Sequence, residues 1–191
     1  MIKDKVDGLN NLIKKALEEE TFPGVNYCLI TDKDEIYGCF GKKANYPEVE
    51  ENDIETLYDM ASCSKVISTT TSIMMLLEQG KLRLYDSVKK YIPRFRYEKI
   101  TIWDLLTHSS GLPADIIRAS RLQSREEALD KIFDALLIYE TNTKIVYSDL
   151  GFILLGLIVE KISGMGLDEF AEKNIFIPLE MTSTGYNPQD V

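Results

Sequence analysis

Strand-forming sequence in this chain is confined to two or three segments in its N-terminal part, and the remainder carries helical periodicity. Gly24 to Thr31 and Glu35 to Gly41 are rich in Val, Tyr, Ile, Phe and Cys and flank Asp32-Lys33-Asp34, which predicts a β-hairpin. Cys28 and Cys39 are expected to face each other across it as packing. A polar loop from Lys42 to Asp53 leads to a short strand expected at Glu55 to Asp59. Ahead of the hairpin, Val6, Leu9, Leu12, Ile13, Ala16 and Leu17 make one helical stripe between Lys3 and Glu20, stopped by Phe22-Pro-Gly24. Beyond it, capping signals at Thr101-Ile-Trp-Asp104, at Ser124-Arg-Glu-Glu127 and at Ser148 or Asp149 open three helices. The second is expected to reach Ile138 and the third Ser163-Gly164, and a last helix spans about Leu167 to Asn174.

The most informative helix is the one expected from Ser62 to about Gly80, with Val66, Ile67, Ile73, Met74 and Leu77 on its core face. Ser62 is placed to cap it. A first turn favours acidic residues because the positive end of the helix dipole lies there, yet this one carries Lys65. Ser62 and Lys65 are three residues apart, so their side chains share one face of the turn. A serine hydroxyl is a poor nucleophile until something accepts its proton, and a lysine with a pKa lowered by burial and the dipole can assist. S-x-x-K is also common, and standing by itself it is read as a capping serine beside a solvated lysine.

The net charge of -9, with no basic run, argues against nucleic acid and against anionic membrane surfaces as partners. The longest apolar run, Leu150 to Val159, is too short to span a bilayer and reads as a buried helix. Three cysteines without C-x-x-C spacing and one histidine supply no zinc site, so neither a metal nor another cofactor is expected. The start Met-Ile-Lys-Asp-Lys-Val-Asp-Gly lacks the apolar core of a secretory signal and, taken as the natural start, predicts a cytoplasmic protein.

Several segments in order carry a specific likeness: Met60-Ala-Ser-Cys-Ser-Lys-Val66, Leu77-Glu-Gln-Gly-Lys-Leu82, Leu-Leu-Thr-His-Ser-Ser-Gly-Leu-Pro (Leu105 to Pro113), Tyr147-Ser-Asp-Leu-Gly-Phe-Ile-Leu-Leu-Gly156 and Pro178-Leu-Glu-Met-Thr182. Together they resemble the serine beta-lactamase and penicillin-binding-protein-like superfamily, in its class C beta-lactamase, DD-peptidase and esterase branch. The resemblance implies an α+β, beta-lactamase-like fold with a helical region and an incomplete antiparallel sheet, because the family's late strands have no counterpart here. Residues 1–191 are then the N-terminal portion of such a domain, with the helix and first strands in 1–58 and a mostly helical region in 59–191.

The resemblance further implies a serine hydrolase acting through an acyl-enzyme on a small ester, amide or peptide. Ser62 would be the nucleophile, and Lys65 and Tyr147 the proton-transfer groups. Tyr147 falls where the family has a Tyr-x-Asn element whose phenol reaches the nucleophile. Asp149 stands where that element has Asn. It is read as a substrate-binding residue or as a helix cap, and an ionised Asp can only accept hydrogen bonds, which favours an ester or peptide over a beta-lactam. Asp149 is also expected to pair with Lys65 and keep it charged. His108, the single histidine, is read as structural at a helix end, with a Ser62-His108 hydrolase as an alternative and a nucleophilic Cys63 as another. Thr182-Ser-Thr-Gly185 lacks the cation of the family's late triad and is not assigned to it. A second reading keeps the fold but makes the chain a non-catalytic assembly module, its exposed sheet edge covered by another copy or a partner chain.

Overall fold

The computed structural model describes residues 2–116 and 122–188. They fall into two compact units, Met1–Asp59 and Met60–Val191.

In the first unit, helix α1 (Ile2–Glu18) lies against a three-stranded antiparallel sheet of order β1 (Gly24–Ile30), β2 (Glu35–Ala44) and β3 (Glu50–Glu51). The hairpin register pairs Asn26 with Cys39 and Cys28 with Tyr37, so the two cysteines are offset by two residues rather than opposed, and both are free. Tyr27 stacks on Phe40 at 6.5 Å and donates to Asn10 of α1 at 2.8 Å. It lies opposite Gly38, where a Cβ would come within 2.2 Å of its ring. The strand expected at Glu55 to Asp59 does not form. The third strand is Glu50–Glu51, where Asn52 holds the chain to the sheet by donating to Asn26 (2.8 Å) and to the Phe40 carbonyl (3.1 Å). On α1, Leu12 is largely exposed and Ile13 is buried, so the apolar stripe is only partly covered.

In the second unit, a π-helical segment (Lys65–Thr70) runs into α2 (Thr71–Glu78), followed by α3 (Val88–Tyr91), α4 (Ile102–Leu106), α5 (Arg125–Phe133), α6 (Asp149–Ser163) and α7 (Leu167–Ala171). Helix α6 is the axis of the core and packs against the π segment, α2, α3, α4 and α7. Its Leu154, Leu155, Ile158 and Val159 are fully buried beside Ile73, Leu76, Phe95, Ile102 and Leu105. Both ends follow sequence rules: Ser148 caps it by accepting from the Gly151 amide, and Gly164 closes it in the left-handed region at φ 74°. The Thr101–Asp104 capping box opens α4 as expected. Helix α5 ends at Phe133, short of Ile138, because Asp134 leaves helical geometry and Tyr97 takes over the chain. Its hydroxyl donates to the Ala135 carbonyl and accepts from the Leu137 amide.

The expected core face of the second helix holds in part: Ile67, Ile73 and Leu77 pack on the core, while Val66 and Met74 are exposed and Ser68, Thr69, Ser72 and Leu76 are buried in addition. Wide π turns between Lys65 and Thr70 shift the phase that a uniform α-helix would have carried forward. No helix among the described residues is long and apolar enough to cross a membrane alone.

Candidate active site

Ser62 sits in the turn just before the helical segment, behind Ala61, which adopts φ 42°. The Cys63, Ser64 and Lys65 amides donate to the carbonyls of Met60, Ala61 and Ser62 at 2.9, 3.1 and 3.1 Å. Cys63 and Ser64 are already helical, so Ser62 is the residue before the helix, as expected, and the Ser64 hydroxyl donates to the Ala61 carbonyl. The Ser62 hydroxyl accepts from Lys65 Nζ at 3.2 Å.

Lys65 reaches this position with its side chain only 16% exposed, and its ammonium also meets Asp149 Oδ1 at 2.7 Å. It lies 5.0 Å from the ring centre of Tyr147 and 5.9 Å from that of Phe152. Burial, the largest single influence, disfavours its charge. The hydrogen bonds and charges of Asp149 and Tyr147 together outweigh it, so the Lys65 pKa is raised. The lowered lysine pKa expected from burial and the dipole is therefore overturned, and the expected Lys65–Asp149 pair is present.

Tyr147 is half exposed and its phenol is hydrogen-bonded to Ser62 and Lys65, in that order of influence; both hold its pKa below the usual tyrosine value. Burial and the Asp149 charge work against that shift. Because Ser148 does the capping, Asp149 is free to turn its carboxylate to Lys65 from the first turn of α6. An apolar cavity of about 570 Å³ adjoins this pair, with Leu129, Phe152, Leu157 and Tyr186 among its walls.

The segment carrying Tyr147 and Ser148 is tied to residues 108–114. Val146 donates to the His108 carbonyl (2.8 Å), Asn142 to that of Ser109 (2.8 Å), Ser148 Oγ to that of Pro113 (2.7 Å) and Asp149 to that of Ala114 (2.8 Å). The turn at Gly111, φ 85°, is packed so closely that a Cβ there would lie 2.2 Å from the Tyr139 carbonyl oxygen. His108, 39 residues before Tyr147 in sequence, puts its ring 4.6 Å from that of Tyr147 and 5.0 Å from that of Phe152. Nothing local in the sequence signals either contact. Cys63 is exposed, and Thr182 and Ser183 lie in a turn closed by the Thr184 amide donating to the Met181 carbonyl at 3.2 Å. Among the described residues, no three His, Cys, Asp or Glu side chains assemble as a metal-binding group.

The family model described as Beta-lactamase matches residues 9–191. The chain belongs to the beta-lactamase family. It is 34% identical over 191 residues to an N-acetylmuramyl-L-alanine amidase of Bacillus subtilis, covering 87% of this chain and 43% of that protein. Among solved structures, the octameric penicillin-binding protein homologue from Pyrococcus abyssi is 29% identical with a TM-score of 0.78, over 92% of this chain and 43% of that one. The beta-lactamase/D-alanine carboxypeptidase from Pseudomonas syringae shares the fold at 24% identity and a TM-score of 0.81, over 96% of this chain and 52% of that one. The chain thus spans about half the length of these relatives, and the sheet described in it ends at Glu51. The α+β fold with a partial antiparallel sheet is the fold these comparisons bear out.

Proposed function

We propose that this chain carries the nucleophile-bearing part of a serine hydrolase that works through an acyl-enzyme. The observation that carries the proposal is the convergence of three groups: Lys65 Nζ lies 3.2 Å from Ser62 Oγ and 5.0 Å from the ring centre of Tyr147, whose phenol Ser62 and Lys65 hold below its usual pKa. The tyrosine, its pKa lowered, takes the Ser62 proton as Oγ bonds to the substrate carbonyl carbon, and returns that proton to the leaving group as the tetrahedral adduct collapses. Lys65 stays an ammonium, stabilising the phenolate and the developing negative charge rather than acting as the base. The amides of Cys63 to Lys65 donate to carbonyls within the turn.

Asp149 sets the substrate class. Its carboxylate faces Lys65 and cannot donate to the side-chain amide of a beta-lactam. An ester or peptide substrate fits better, in keeping with the amidase name of the Bacillus subtilis relative. Labelling the longest natural form with a fluorophosphonate tests the reading. Ser62→Ala should abolish labelling, and equal labelling of both proteins would end the proposal. The octameric homologue gives the assembly reading its support, and a mass measurement in solution that finds only monomer would remove it.

A further inference from the structure

We propose that His108 is the positioning residue for Tyr147. Its neutral ring accepts the Ser148 amide and backs the phenol, holding it against Ser62 and Lys65, and the imidazolium form lets go. The inference rests on the role given to Tyr147 above, but its first test does not.

The geometry fixes the proton's place on the ring. The Ser148 amide lies 3.0 Å from His108 Nδ1 and can only donate, so Nδ1 must present its lone pair and the proton sits on Nε2. His108 holds the same segment from its main chain as well, since its carbonyl accepts the Val146 amide at 2.8 Å. Tyr147 is therefore gripped on both sides in sequence, at Val146 and at Ser148, while the imidazole face packs 4.6 Å from its ring. The residue reaches this pose by adopting φ 56°, a left-handed conformation that few side chains tolerate and that is kept here directly beside the site.

Adding a proton to Nδ1 would set one N–H against another. The amide would lose its acceptor and the ring would be pushed off, taking the tyrosine with it. The charged groups around the ring set when this happens. Lys65 of the π segment opposes the imidazolium and Asp149 of α6 favours it. The Tyr147 phenol is held by Ser62 and Lys65, and Asp104 of α4 is occupied by Thr101. Burial of the ring first, and Lys65 second, outweigh Asp149, so His108 stays neutral to lower pH than a free histidine. The segment is thus held through the neutral range and released in acid.

His108 is the one histidine in the sequence, so its ring nitrogens give a single assignable set of ¹⁵N NMR signals. The expected spectrum at neutral pH is that of the Nε2–H tautomer, with the Ser148 amide signal moving as the ring titrates. A ring protonated on Nδ1 at neutral pH, or a Ser148 amide indifferent to its titration, overturns the proposal without any need for turnover.

Two variants supply the second arm. His108→Asn puts an acceptor where Nδ1 was and tolerates the positive φ, whereas His108→Leu removes the acceptor. The Tyr147 phenol, followed by NMR, should titrate higher in His108→Leu by about half a unit or more and stay near its original value in His108→Asn. In the longest natural form, kcat should fall about tenfold in the Leu variant with KM unchanged, return to within about threefold in the Asn variant, and lose its histidine-linked acid limb in both. Equal behaviour of the two variants would overturn the inference. If the Leu variant does not fold, the tautomer and the Ser148 titration in the unaltered protein decide it.

Discussion

Replacing Asp149 with Asn removes one negative charge from the site and changes little else, because the amide keeps the shape of the carboxylate. The lost contact is the 2.7 Å pair with Lys65, in which the aspartate side chain is 48% exposed and the lysine 16%. Solvent on the aspartate side limits the pair to about 0.2–1 kcal/mol, and the burial of Lys65 places it toward the upper end. That energy corresponds to at most about 0.7 of a pKa unit. The Asp149 charge also raises the Tyr147 pKa, so its removal lets the phenol ionise more readily while Lys65 remains an ammonium. The acid limb of fluorophosphonate labelling in the longest natural form should therefore move to lower pH, by a few tenths of a unit because Asp149 is the smallest of the influences on the phenol, with labelling just below the original limb up to about twofold faster. A limb that stays in place or moves up would refute control of the site by this carboxylate. Lys65→Arg separates a charge from a base: the limb survives if the lysine acts as a cation, and disappears if it takes the proton.

Asp86 is held at a pKa of about 2 although burial, the largest influence, works the other way; the Lys90 ammonium (2.8 Å), the Tyr91 hydroxyl (2.6 Å) and the Arg83 amide (2.9 Å) prevail. Its contribution is present above the unfolded value of 3.8 and lost as pH falls toward 2, so Asp86→Asn should cost about 2 kcal/mol in urea unfolding at neutral pH and nothing at the acid end of that window. Ser148→Ala removes the cap of α6 and the donor to the Pro113 carbonyl, and should lower the unfolding midpoint by an amount worth about 2 kcal/mol at constant m-value. Gly111→Ala forces a Cβ against the Tyr139 carbonyl at φ 85° and should destabilise by about 2 kcal/mol or more in the same measurement.

How much of the fold and site was legible in the residues depended on whether the signal was local. The hairpin, the Thr101–Asp104 box and both ends of α6 are short-range chemistry, and each is where its residues put it. The pairing of Lys65 with Asp149 was also readable, because an acidic residue in place of Asn has a cation as its natural partner. The failures are all contests between local preference and tertiary context. Tyr97 captures the chain beyond Phe133, Asn52 draws Glu50–Glu51 to the sheet in place of Glu55 to Asp59, and the phase of the second helix is reset where no residue type marks a π turn. The grip of His108 on Ser148 joins residues 40 positions apart and leaves no periodic trace.

The wide turns from Lys65 to Thr70 constrain how this sequence can change. Each residue of an α-helix rotates its successors by about 100°. At its start stands the amine that must reach Ser62 and Asp149, and downstream stand Ile73 and Leu76, which must reach the interior. Deleting one residue between Val66 and Thr70 would restore regular winding and swing one group out of alignment with the other. This segment has no single-codon exit that keeps both its chemistry and its core.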